Sequence, residues 1–225
     1  KADEVASVGA VDVFPLRAEG DPLLAVAVVE ARFQSGMHDL YNLPVGLRRG
    51  SGGFASVDGW TAVDALDDEE LVLELAGLIR AQAAVEHEGG MLEFGLVDDV
   101  EPGGPVRPMG GEQSNTSVVL DERLVLKLYR KLEAGVNPEL ELLRFLSERG
   151  FPAIATLRGW AAHVGQPLDA TLAILQDYVP VREDGWTMAL RDLEGGGDGF
   201  VALVRRLGEV TGQMHSVLAS ESSDS

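Results

Sequence analysis

The sequence has no cysteine, which excludes a disulfide framework, a thiolate metal site and a thiolate nucleophile. It has no uninterrupted apolar run of about 18 residues, the length a membrane-spanning helix requires. The opening Lys1-Ala2-Asp3-Glu4 lacks the basic and apolar regions of a signal peptide. A cytoplasmic location is expected from these absences. Basic residues are scarce as well: 18 Lys and Arg stand against 37 Asp and Glu, a formal charge of −19. Such a chain repels nucleic-acid backbones and anionic lipid unless a local basic patch offsets the field. Arg48-Arg49, Arg130-Lys131 and Arg205-Arg206 are too short and scattered for that, so neither nucleic acid nor membrane is an expected partner. An anionic ligand must instead be held by single lysines, backbone N–H groups and a cation.

What is present suffices for a large core, with 45% hydrophobic residues in 225. The first part reads as β-rich. Val11 to Leu16 partly alternates, Leu24 to Phe33 is β-branched enough for a well-buried strand, and Tyr41 to Leu47 resumes the pattern after the Ser35-Gly36 turn. Pro44 suggests a sheet edge for this third strand. Tight connections predict an antiparallel meander. Asp67-Asp68-Glu69-Glu70 precedes Leu71, Val72, Leu75, Leu78 and Ile79, which share one helical face. The four acids read as a helix N-terminus and not as a metal cage, because no further ligand accompanies them. Met91 to Leu96 forms another strand. The Pro- and Gly-dense stretches 101–105 and 108–111 then give the best boundary in the chain, and no internal repeat is visible.

The informative signal lies between Glu112 and Gly159. Ser117 to Leu120 reads as a strand, Asp121-Glu122 as a tight turn and Arg123 to Tyr129 as the returning strand. Leu124, Leu126 and Leu128 share one face of it; Val125, Lys127 and Tyr129 share the other. Lys127 is thus a lone cation in an apolar strand and needs an anionic partner or a route to solvent. Just upstream, Gln113-Ser114-Asn115-Thr116-Ser117 reads as a polar loop able to present donors to phosphate oxygens. Downstream, Asn137 suits an N-cap and Pro138 a first helical position for a helix from Glu139 to about Glu148. Glu139 falls near the apolar stripe of Leu142, Leu143 and Leu146, while Glu141 lies towards the polar side; both stay open as partners of Lys127. Loop, strand, lysine strand and acidic helix follow in the order that protein-kinase-like folds use around nucleotide phosphates.

These residues carry a resemblance. Glu112-Gln113-Ser114-Asn115-Thr116-Ser117-Val118-Val119, Leu126-Lys127-Leu128-Tyr129-Arg130 and Gly135-Val136-Asn137-Pro138-Glu139-Leu140-Glu141-Leu142 resemble the maltokinase family. Thr171 to Val179 and Asp184-Gly185-Trp186 fit it too, so the match is specific from about Glu112 to Trp186. The resemblance implies an aminoglycoside-phosphotransferase-like kinase that transfers phosphate from ATP, with Mg²⁺, to the 1-position of maltose for α-glucan synthesis. It implies trehalose synthase as a fusion or complex partner. By it, Ser114, Asn115, Thr116 and Ser117 form the phosphate loop, Lys127 meets the nucleotide phosphates with Glu139 or Glu141 behind it, and Gln176, Asp177 and Val179 belong to a hinge that meets adenine. The family's catalytic His-Gly-Asp-type loop and acidic metal motif do not occur in the 225 residues, so no catalytic or metal-ligating residue is expected in this chain, and the chain by itself is expected to be inactive.

The expected fold is α+β: a β-rich N-terminal cap over residues 1–108, a kinase-like N-lobe that binds ATP over 109–179, and the first helices of a C-lobe over 180–225. His215, on a final helix from about Gly199 to Leu218, reads as an ordinary helix histidine. Gly195 to Gly199 reads as a linker. His38, Tyr41 and Trp60 read as local packing residues. A related sugar or aminosugar kinase and a non-catalytic assembly module remain as rival readings.

Overall fold

A computed structural model describes residues 4–110, 115–181, 183–197 and 199–220. The chain divides into two compact units, Lys1–Leu140 with Leu157–Tyr178, and Glu141–Thr156 with Val179–Ser225. The first is built on two antiparallel sheets. Strands β1 (Val5–Arg17), β2 (Leu23–Phe33), β3 (His38–Arg49), β4 (Ala55–Val57) and β5 (Trp60–Asp64) form one, in the order β1-β2-β3-β5-β4. The expected meander is therefore present. In β2 burial alternates over Leu24, Val26 and Val28, which face the core, and Ala31 is buried further along.

Pro44 does not mark an edge. Strand β3 is paired with β2 along its length, and its other side meets β5 from Val45 onwards and a short strand β11 (Lys131–Leu132) at Leu40 and Tyr41. Pro44 falls between these two partners, where a missing N–H disturbs no ladder.

A 3₁₀ turn (Ala65–Asp67) leads into α1 (Glu69–Arg80), whose N-cap is Asp68. The Asp68 carboxylate accepts hydrogen bonds from the N–H groups of Glu70 (3.1 Å) and Leu71 (3.3 Å), as the acidic run predicts. It also receives a two-pronged contact from the Arg48 guanidinium, which holds its carboxyl below the usual carboxylate range. Leu71, Val72, Leu75, Ala76 and Ile79 bury the apolar stripe of α1, while Leu78 is only partly buried.

The second sheet has seven strands in the order β6-β7-β12-β13-β10-β9-β8. They are β6 (Ala84–His87), β7 (Gly90–Leu96), β8 (Val106–Met109), β9 (Asn115–Leu120), β10 (Leu124–Tyr129), β12 (Leu157–Gly165) and β13 (Ala170–Asp177). Strands on both sides of the Pro- and Gly-dense stretch 101–105 thus belong to this one sheet. Helix α1 packs on β7 and β12. Close approach there depends on glycine: a Cβ on Gly159 would lie 2.3 Å from Ile79 Cγ2 and 2.6 Å from the Gly95 carbonyl oxygen.

Two features join the sheets. After Tyr129 the chain leaves the second sheet and enters the first as β11. Buried Asn42 of β3 donates its side-chain amide to the carbonyls of Tyr129 (3.3 Å) and Leu172 (3.2 Å). The core of this unit combines Phe14, Leu24 and Val26 with α1 and with Leu124, Leu126 and Leu128 of β10.

The helix α2 (Pro138–Glu148) bridges the two units in sequence. The second unit adds α3 (Gly185–Glu194), capped by Asp184, and α4 (Gly199–Leu218). Among the described residues no helix is long and apolar enough to cross a membrane.

Candidate nucleotide site

Lys127 sits in the middle of the second sheet because β10 pairs with β9 on one side and β13 on the other. The β9–β10 turn is made by Asp121 and Glu122, both left-handed with φ of 51° and 49°. Two successive residues of that conformation give the turn the twist of its flanking strands. The hairpin register places Lys127 opposite Ser117, and Tyr129 opposite Asn115.

The Lys127 side chain is only 17% exposed, and its Nζ lies 2.9 Å from Glu139 Oε2 and 3.2 Å from Oε1. The Tyr129 hydroxyl donates to the same carboxylate at 3.0 Å. Of the two candidate acids, Glu139 is therefore the one brought to the lysine; Glu141 is exposed, one position past the boundary of the first unit. Glu139 is placed by the start of α2. The Asn137 side chain accepts from the Glu139 N–H at 2.9 Å, and the Asn137 N–H donates to Thr171 Oγ1 of β13 at 2.9 Å. The cap thus fixes the first turn against the sheet, and the positive end of the helix favours a carboxylate there. A lysine this enclosed requires its counter-charge, since desolvation otherwise outweighs any packing of its stem.

The polar segment before Lys127 differs from the expected loop. Ser114 lies outside the described residues. Asn115, Thr116 and Ser117 belong to strand β9, which begins two residues earlier than the sequence pattern suggests. The reason is pairing on β10: all three residues are in its ladder, and Ser117 also meets Met109 of β8. Period-two alternation puts Asn115 and Ser117 on the face of Lys127 and Thr116 on the opposite face. There the Thr116 hydroxyl accepts from Arg130 Nε at 2.9 Å. The structure thus brings Asn115, Ser117, Lys127 and Glu139 to one face of the hairpin and turns the Thr116 side chain away.

Gln176 and Asp177 end β13, paired with Val125 and Leu124 of β10. Asp177 is held by Arg158 through Nε (2.7 Å) and Nη2 (2.9 Å), and Arg158 also reaches Asp98. The Tyr178 N–H donates to the Arg123 carbonyl at 2.7 Å. Val179, exposed, is the residue at which the chain leaves the first unit for the last time, so this passage falls within the segment expected to be a hinge.

Sequence reasoning did not single out Tyr129, Thr171 or Arg130. Tyr129 was within reach of it, two residues from Lys127 on the same strand face; the contacts of Thr171 and Arg130 carry no local signal. His215 is exposed on α4, and Trp60 packs under the Arg49 guanidinium, 3.9 Å from its ring centroid. Among the described residues no group of three or more His, Asp or Glu is placed to hold a metal ion.

No protein-family profile matches the sequence. Solved structures do. A glucosamine kinase in complex with glucosamine, ADP and inorganic phosphate matches with a TM-score of 0.63 at 20% identity, over 97% of this chain and 48% of the other. A glucosamine kinase in another crystal form matches with a TM-score of 0.62 at 22% identity, over 96% and 47%. The chain spans about half the length of these structures, and over that span it shares their α+β, kinase-like fold.

Proposed function

We propose that this chain is the nucleotide-gripping portion of a sugar kinase, a protein that transfers the terminal phosphate of ATP to a sugar. The observation that carries the reading is the enclosed Lys127–Glu139 pair, 2.9 Å apart, in a fold shared with a kinase that binds ADP, phosphate and an aminosugar. A strand lysine held by a helix glutamate is the device with which kinase-like folds orient nucleotide phosphates. In this reading Lys127 meets the phosphates, Glu139 and Tyr129 hold its ammonium in place, and Asn115 and Ser117 line the same face. Gln176 to Val179 offers backbone groups to adenine. Residues 1–108 serve as a cap, 109–179 as the ATP-binding part and 180–225 as the start of a second lobe. Magnesium and the phosphoryl-transfer machinery belong to residues other than those described.

Maltose is the acceptor that the sequence resemblance implies. Its phosphorylation at the 1-position would feed α-glucan synthesis, with trehalose synthase as a fusion or complex partner. A second acceptor, an aminosugar such as glucosamine, is favoured by the structural likeness. The test is a phosphotransfer assay on the longest natural protein carrying this chain, with ATP·Mg²⁺ and either maltose or glucosamine, the product identified by ³¹P NMR. The reading expects ADP and a phosphorylated sugar from one of the two. If no ADP forms with either sugar, a non-catalytic assembly module is favoured.

A further inference from the structure

Arg130 stands where the lysine-bearing strand leaves its own sheet. Its carbonyl accepts from the Asn42 N–H of β3 at 2.8 Å, and Lys131 and Leu132, next in the chain, already pair with β3. From this crossing its guanidinium reaches into both sheets. Nη2 lies 2.6 Å from Asp64 Oδ2 at the end of β5, and Nε donates to Thr116 Oγ1 of β9 at 2.9 Å. Asp64 is itself fixed, because its other carboxylate oxygen accepts from the Leu66 N–H at 3.0 Å. The third nitrogen, Nη1, is buried with no hydrogen-bond partner among the described residues. The Arg130 side chain is 20% exposed and that of Asp64 26%.

As a stabilising device this is poorly made. A partly buried guanidinium with an unmade N–H forfeits much of what its ion pair gains. As a positioning device it is well made. A planar fork bonded to a fixed carboxylate holds a third group at a set distance and angle, which a lysine cannot reproduce. The group held is Thr116. Because strand side chains alternate, anchoring Thr116 on one face of β9 commits Asn115 and Ser117 to the other, the face of Lys127.

We propose that Arg130 is a positioning residue of the nucleotide site: it ties Thr116 to Asp64 and so sets, from behind the sheet, how the residues beside Lys127 face the phosphates. This rests on the reading of Lys127 as a phosphate-binding residue. It also makes the β5 corner of the first sheet a determinant of nucleotide affinity, although Asp64 lies on the sheet face away from Lys127.

The test uses the longest natural protein carrying the chain, with KM for ATP, kcat and melting temperature measured for wild type, Arg130→Lys, Thr116→Val and the double variant. Each single variant is expected to raise KM for ATP about tenfold while kcat stays within about twofold, since a displaced group beside the phosphates weakens binding before it touches the reacting atoms. The double variant should be no worse than the worse single one, because the two residues act through one bond. Arg130→Lys and Thr116→Val that lower the melting temperature but leave KM for ATP unchanged would overturn the proposal, as would effects that multiply. If Lys127→Ala leaves KM for ATP unchanged, or wild type does not turn over ATP, the site reading itself falls and the positioning role falls with it. An unchanged KM in the Arg130 and Thr116 variants beside a raised one in Lys127→Ala sinks the positioning role alone.

Discussion

Removing the Asp68 side chain should cost the fold two interactions that can be counted separately. Asp68→Ala loses the acceptor for the first N–H groups of α1, worth about 1 kcal/mol for an N-cap, and the bonds to Arg48, worth about 0.5–1 kcal/mol for a partly exposed pair. Arg48 keeps Glu70 as a partner at 3.1 Å, so its charge is not stranded. The total is about 1.5–2 kcal/mol, or roughly 3–8 °C in melting temperature for a chain of this size. Asp68→Asn retains the capping oxygen but loses the charge and the oxygen that accepts from Arg48 Nε, so it should cost about half as much. Thermal melts followed by circular dichroism, with hydrogen exchange at the α1 amides, measure both.

The pH dependence follows from the lowered pKa of Asp68, whose leading cause is the hydrogen bond from Arg48. A carboxyl with a lower pKa folded than unfolded adds stability above its unfolded value, about 3.9, and loses it as pH falls through the folded value. The gap between wild type and Asp68→Asn should therefore be full at pH 7 and close below about pH 4. An asparagine variant as damaged as the alanine one, or a gap unchanged at pH 3, would refute the division into cap and ion pair.

Two further substitutions test the packing that positions the site. Gly159→Ala should destabilise by about 1–3 kcal/mol in urea denaturation, since its Cβ collides with Ile79 and with the fixed Gly95 carbonyl; a variant as stable as wild type would contradict the close approach of α1. Asn42→Ala removes the donor shared by the Tyr129 and Leu172 carbonyls and should cost about 1–3 kcal/mol, with faster exchange around β11. Exchange unchanged there would show that the amide does not join the sheets.

What the sequence made legible was local. Periodicity placed α1, the Asn137-Pro138 pair placed the start of α2, and the alternation in Leu124–Tyr129 put Lys127 and Tyr129 on one face. The helical wheel favoured Glu139 without settling it; the fixing contacts come from Thr171, which is 34 positions from Asn137 in the chain. Pro44 misled because an edge and a gap between two partners make the same demand on a missing N–H. The polar run 115–117 read as a loop because side-chain type was weighed there, whereas pairing with β10 decided its conformation. The Arg130–Asp64 contact spans 66 positions and leaves no periodic trace. It emerges only when the two sheets are brought together.

The most direct test of the nucleotide site is calorimetric titration of ATP·Mg²⁺ into the longest natural protein carrying this chain, wild type beside Lys127→Ala. Wild type should bind saturably and the variant at least tenfold more weakly, with the melting temperatures of the two similar. Equal affinities in two folded proteins would contradict the assignment of Lys127 to the nucleotide phosphates.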